Sequence, residues 1–313
     1  MTKKYEAINW NKIENRVDYS AWSRLSDFIW EPERIPVNED KAEFDKLDER
    51  YQETFLRALG SLAFLSTIQV KIGDSSVKMD AATPQEISVF GALNYLEAIA
   101  NKGYSNAIKA LAPEKADSYI EWANEQRNLQ DVADLLTQIY QRGTAWQKKI
   151  ALSFTEMAIY HVGFYGPLYL FGQGKHLSRS IELLKYAIRS TSFNAMYPGV
   201  KFRLELEDMS EEKQKEIKFW VYTFTERIEK LMRGVINELY GYSDSKDDAL
   251  HYFRYTLNKN LLNLGYPTVY PDSNDDLSTE IQQGVIKSAN FESFFFYNNS
   301  NPLTDFHEIK DKD

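Results

Sequence analysis

NYLEAIANKGYS, residues Asn94 to Ser105, sits in the middle of a strongly helical segment and holds a glutamate, Glu97, with a tyrosine, Tyr104, seven residues later. Three residues after Glu97, where a Glu-x-x-His metal pair would put its imidazole, stands Ala100. The segment opens on TPQE, Thr83 to Glu86, which supplies an N-cap threonine, a proline at the first helical position and a glutamate in the capping-box place. The stretch reads either as an ordinary amphipathic helix or as a metal-and-radical helix from which one ligand has gone.

The neighbouring segments are helical too. Upstream, DERYQETFLRALGSLAFLSTIQVKI (48–72) puts Phe55, Leu59, Leu62, Leu65 and Ile68 on one stripe, the spacing of a buried helix face, and GDSS (73–76) is expected to close it. Residues 1–50 look irregular, with WEPERIPVNEDKAEF (30–44) as a Pro-containing connector. Downstream, 112–143 reads as one or two helices, followed by helical stretches at 144–174, 177–205, 209–241 and 247–265. Strand-type alternation is weak throughout. Long helices joined by short Gly- or Pro-marked turns predict an all-α bundle. One domain is expected over 1–297, with 298–313 (NNSNPLTDFHEIKDKD) as a flexible polar tail.

Composition narrows the function classes. The chain has 313 residues, 43% hydrophobic and 27% charged, with 20 Tyr and 18 Phe, which suits a globular protein with a sizeable aromatic core. A net charge of -9 with acids spread along the chain argues against nucleic-acid binding, which needs clustered Lys and Arg. With no cysteine, thiolate metal sites, disulfides and thiol nucleophiles are excluded, and only His161, His176, His251 and His307 offer imidazole. MTKKYEAINW has no apolar stretch behind its basic start and does not read as a signal peptide. No run is expected to reach membrane-span length; the best candidate, MAIYHVGFYGPLYLFG (157–172), is short and broken by Gly and Pro. The expected compartment is the cytoplasm.

WNKIEN, FIWEPERIP, LSTIQ, YLEAIANKGYS, VGFYGPLYL and AIRSTSFNAMYPGVKF occur in one order and at consistent spacing. Together they resemble the small (beta) subunit of class I ribonucleotide reductase, closest to the class Ib branch, over roughly residues 8 to 297. The resemblance implies a ferritin-like helical fold, a homodimer, and a dinuclear iron or manganese site buried among four helices. Such sites take one carboxylate from each of two helices and a Glu-x-x-His pair from each of the other two. In active members the site oxidises a nearby tyrosine, and the radical passes to a large (alpha) subunit that reduces ribonucleotides for deoxyribonucleotide synthesis.

Carried over residue by residue, the resemblance puts the first carboxylate on Ser66 and the first Glu-x-x-His pair on Glu97 and Ala100. The second carboxylate falls on Glu156 and the second pair on Thr191 and Asn194, so four of six metal-ligand positions are substituted and both histidines are replaced. Tyr104 falls on the radical tyrosine and Trp30 on the relay tryptophan, while Ser190 replaces an acidic residue of the relay. The metal site is therefore expected to be degenerate, its metal pair absent or incomplete, although Glu97, Glu156 and Asn194 could still hold one hard cation. Without metal, two facing buried carboxyls would have to share a proton. His161 and His176 read as structural. In the tail, Tyr297, Asp305 and Phe306 are the residues that a docking or relay role would use.

Three functions stay open on this reading. The first is a working reductase small subunit that makes its radical by an unusual route, at a modified Tyr104 without metal. The second is a catalytically silent paralogue that binds the reductase as a structural or regulatory partner. The third is a bundle that holds a different ligand in the metal cavity.

Overall fold

The computed structural model describes residues 7–243, 245–273 and 277–287, and every regular element among them is helical. The tail at 298–313 and the end of the domain drawn to residue 297 lie outside the described residues.

Local chemistry starts most of the long helices. The Asn15 side chain accepts from the amides of Val17 and Asp18 and opens α1, Arg16–Arg24. Asp48 caps α2, Glu49–Met79, which contains a π turn at Gln69–Gly73. Thr83 Oγ1 accepts from the Glu86 amide at 3.0 Å and Pro84 takes the first position of α3, Pro84–Leu111, as the TPQE signal predicts. α4, Ala116–Glu125, and α5, Arg127–Arg142, follow. A reciprocal Thr144–Gln147 capping box opens α6, which is built of Ala145–Phe154, a second π turn Thr155–Ile159, and Tyr160–Gly172. α7, Ser178–Glu207, precedes α8, Glu211–Tyr240, which Ser210 caps. α9, Lys246–Asn263, and α10, Thr279–Lys287, complete the described chain.

Three sequence expectations need correction. Residues 1–50 are not simply irregular: α1 lies there with several single 3-10 turns, and it buries Asp18 and Ala21. GDSS does not stop α2. Gly73 keeps right-handed helical angles (φ -58°, ψ -72°), Asp74 is fully buried, and the helix runs on to Met79. For the same reason one helix does reach membrane-span length. Glu49–Met79 is long and apolar enough to cross a membrane, and 67% of its apolar window is buried inside the protein as core.

α2 packs on α3, α4 and α6, and α7 packs on α3 and α6. Of the stripe, Phe55, Leu59, Leu62 and Leu65 are buried and Ile68 is half-buried, and each fully buried side chain contributes about 1.5–3 kcal/mol by leaving water. α10 lies very close to α6: a side chain at Gly172 would meet the Glu280 carbonyl, and one at Gly284 the Leu168 carbonyl. At one end the bundle is tied by paired buried charges. Lys201 of α7 meets Asp18 of α1 at 3.0 Å and Glu86 of α3 at 3.3 Å. Lys149 of α6 meets Glu86 at 3.5 Å and also pairs with Glu205 of α7.

Candidate functional site

The inferred ligand positions fall on four helices: Ser66 on α2, Glu97 and Ala100 on α3, Glu156 on α6, Thr191 and Asn194 on α7. None of these residues is more than 1% exposed. Glu97 and Glu156 are brought close enough for the negative charge of Glu97 to oppose ionisation of Glu156, while the Asn194 amide beside Glu156 favours it. The other positions are occupied elsewhere. Ser66 Oγ donates to the Ala63 carbonyl at 3.1 Å and accepts from Asn101 Nδ2 at 2.7 Å. Thr191 Oγ1 donates to the Ile188 carbonyl at 3.0 Å. Ala100 has no donor atom at all.

Two residues join the pocket that sequence reasoning missed. Tyr160, one turn beyond Glu156, donates its phenol hydrogen to Glu97 Oε1 at 2.6 Å. Asp74, on the far side of the first π turn, is fully buried, and its charge and that of Glu97 oppose one another. It also opposes ionisation of Glu156. The spacing of Tyr160 from Glu156, four residues along one helix, places both on a shared face but does not mark the contact with Glu97 on another helix. Asp74 gave no such signal, because its face depends on the π turn.

The pocket is electrostatically unlike the ionic cluster at the end of the bundle. Burial pushes the carboxyls of Asp74 and Glu156 well above the usual carboxylate range, and their acidic neighbours push them further. Burial pushes Glu97 up to about 7, against the opposing pull of the Tyr160 hydrogen bond. Among the described residues no lysine or arginine forms an ion pair with any of the three. His161 stays outside this chemistry: burial pushes its imidazole down to about 3, and its Nδ1 lies 2.8 Å from Tyr252 Oη. His176 is exposed.

Tyr104 is fully buried beside the pocket, and its hydroxyl has no hydrogen-bond partner among the described residues. Burial, then the charges of Glu97 and Glu156, raise its pKa well above that of a free phenol. Trp30 is buried, stacks on Tyr186 at 5.7 Å between centroids, and lies against Gly103, where an added Cβ would sit 2.8 Å from the indole. The indole Nε1 is buried without a partner among the described residues, and Ser190 Oγ is spent on the Tyr186 carbonyl at 3.1 Å.

Paired iron or manganese ions are held by several anionic oxygens with imidazole. Here the inward donors are carboxyls and one amide, Asn194, whose polar atoms have no regular hydrogen bond. Among the described residues no three His, Asp or Glu side chains converge closely enough to hold a metal ion. These residues do not fit a dinuclear centre.

The sequence matches the family model described as ribonucleotide reductase, small chain, over residues 7–277. It is 30% identical over 294 residues to ribonucleoside-diphosphate reductase 2 subunit beta of Escherichia coli K12, covering 94% of this chain and 92% of that one. It is 28% identical over 294 residues to ribonucleoside-diphosphate reductase subunit beta nrdF2 of Mycobacterium tuberculosis, covering 94% and 90%. Among solved structures, dimanganese(II)-NrdF of Streptococcus sanguinis superposes with a TM-score of 0.86 at 33% identity, over 90% of this chain and 99% of that one. A class I ribonucleotide reductase structure from Bacillus halodurans shares the fold at 19% identity, with a TM-score of 0.76 over 86% of this chain and 99% of that one.

Proposed function

This chain belongs to the ribonucleotide reductase small-chain family, in its NrdF-like, class Ib-like branch with the ferritin-like fold, and from that premise we propose that it is a cytoplasmic, homodimeric small-subunit-type partner of a reductase large (alpha) subunit whose pocket holds buried carboxyls in place of two metal ions. One observation carries the proposal. Of the positions 66, 97, 100, 156, 191 and 194, only Glu97 and Glu156 present carboxylates, and the Ser66 and Thr191 hydroxyls are turned to backbone carbonyls. The silent, structural or regulatory reading is favoured over radical storage at Tyr104, because four of the six positions that would hold the oxidising metals carry neither a carboxyl nor an imidazole. The domain is proposed to end near residue 297, leaving 298–313 as a docking tail.

The test uses the full chain and the large subunit from its own host. After anaerobic loading with Mn(II) or Fe(II) and dialysis, metal analysis is expected to find well under one ion per chain, while sedimentation shows a dimer that binds the large subunit. Two ions per chain at full occupancy would overturn the metal part, and failure to bind the large subunit the partner part.

A further inference from the structure

α2 reaches the pocket by an irregular path. π turns are rare insertions in α-helices, so one that persists is held by its surroundings. Around Gln69–Gly73 the holding groups are side chains. Gln69 folds back over Gly73, where an added Cβ would overlap Gln69 Oε1 and stand 3.3 Å from the Tyr140 ring. Gln69 Nε2 donates to Tyr140 Oη of α5 at 2.9 Å, and neither residue is more than 1% exposed. The Tyr140 hydroxyl also stands beside that of Thr155, which opens the second π turn on α6. One phenol therefore touches both π turns, and each turn brings a carboxyl to the pocket: Asp74 follows the first, and Glu156 lies in the second.

We propose that the Gln69–Tyr140 hydrogen bond is a register lock: it holds α2 in the π form, and so decides that a carboxyl rather than a glycine faces the pocket. Successive residues of an α-helix are about 100° apart around its axis. Without the extra residue of the π turn, each position after it takes the bearing of its successor. Gly73 then replaces Asp74 at the pocket, and Ser76 replaces Val77 in the core. Two effects oppose one another here. Val77 is fully buried, and keeping it out of water favours the π form. Asp74 is fully buried too, and the hydration its carboxyl gives up favours the α form. The buried bond between Gln69 and Tyr140 adds to the first side. Releasing it leaves two carboxyls at the pocket in place of three, with no change at any of the six inferred ligand positions. The lock goes beyond the partner role proposed above and does not depend on it, since it needs neither the large subunit nor a metal.

The chain has no cysteine, so a single introduced thiol reports on one position. The test places Ser61→Cys, Asp74→Cys, Val77→Cys or Met79→Cys singly in the full chain and follows reaction with a water-soluble maleimide. Ser61, Asp74 and Val77 are buried, whereas Met79 is 81% exposed. With Tyr140 intact, the thiols at positions 61, 74 and 77 are expected to react at least a hundred-fold more slowly than the one at 79. Adding Tyr140→Phe is expected to speed positions 74 and 77 at least ten-fold and to leave position 61, which precedes the π turn, unchanged. Gln69→Leu breaks the same bond from its other end and is expected to do the same. In a Tyr140→Phe chain that keeps Asp74, amide hydrogen exchange over 73–79 is expected to quicken at least ten-fold against 55–65, and circular dichroism of each variant to show that the helices remain. The proposal is overturned if positions 74 and 77 do not quicken in Tyr140→Phe or in Gln69→Leu. An equal rise at position 61, or a thiol at 74 as reactive as at 79 with Tyr140 intact, also overturns it.

Discussion

Glu97, Glu156 and Asp74 bury three carboxyl groups without a paired cation among the described residues, and a buried acid in that position is most stable neutral. The consequence for stability has a definite sign. For Glu97 the folded value, about 7, lies above the ordinary 4.5. Its stabilising contribution is therefore fully present below 4.5 and is lost as pH rises through 7. Over that interval the loss amounts to about 3 kcal/mol at roughly 1.4 kcal/mol per pH unit. Glu97→Gln cannot ionise and keeps an oxygen for Tyr160 to donate to. Urea unfolding is expected to find this variant close to wild type at pH 4.5 and about 3 kcal/mol more stable at pH 8. A variant no more stable than wild type at pH 8 would mean that the carboxyl is not held in its neutral form. Ala100 and Ser66 were legible as losses because each stands at a fixed spacing from a quoted motif. Tyr160 was not, because nothing in a row of apolar letters marks which phenol will reach a carboxylate on another helix.

At the scale of elements, the capping signal TPQE marks a helix start, and of the breaker signals GDSS fails, whereas Gly143, Gly174, Gly241 and Gly265 stand within two residues of the ends of α5, α6, α8 and α9. TPQE opens α3 where the sequence says, because the Thr83 bond and Pro84 act within one turn. GDSS fails because glycine also serves a continuing helix when a π turn needs room. In an unbroken α-helix residue 73, seven beyond Ser66, would share its face. The π turn at Gln69–Gly73 takes up one more residue, so Asp74 comes round to that face instead. The same class of turn at Thr155–Ile159 lies where Glu156 enters the pocket. Close packing by glycine is a second element-scale device. Gly172→Ala drives a methyl into the Glu280 carbonyl of α10, and Gly284→Ala drives one into the Leu168 carbonyl of α6. Backbone cannot yield cheaply, so each change is expected to cost about 1–3 kcal/mol in urea unfolding. A cost under about 0.5 kcal/mol for both would show that α10 docks more loosely than described.

Across the whole molecule, charge is arranged in two opposite ways. At the end of the bundle Asp18, Glu86, Lys149 and Lys201 are buried and paired, joining α1, α3, α6 and α7. In the central pocket the acids have no such partners. Removing one member of the paired cluster strands the rest: Lys201→Met leaves Asp18 without its lysine, and Glu86 with Lys149 as its only remaining ion pair. This is expected to cost about 3–5 kcal/mol. Adding Asp18→Asn should recover part of that loss, a coupling that a double-mutant cycle reads directly. If Lys201→Met costs less than about 1 kcal/mol, the cluster does not bind the N-terminal segment to the bundle.

By itself the sequence determined the helical class, the order of the long helices, most of their starting points, the family, and which residue types stand at the six inferred ligand positions. These are properties of spacing within one segment, and local periodicity carries them. Only the tertiary structure decided that Asp74 turns inward, that Ser66 and Thr191 spend their hydroxyls on backbone carbonyls, and that Tyr160 rather than Tyr104 meets a carboxylate. Each of those outcomes depends on a helix rotation of a fraction of a turn, or on a contact between residues as far apart as 97 and 160. Packing sets such angles, and no spacing along one chain segment encodes them.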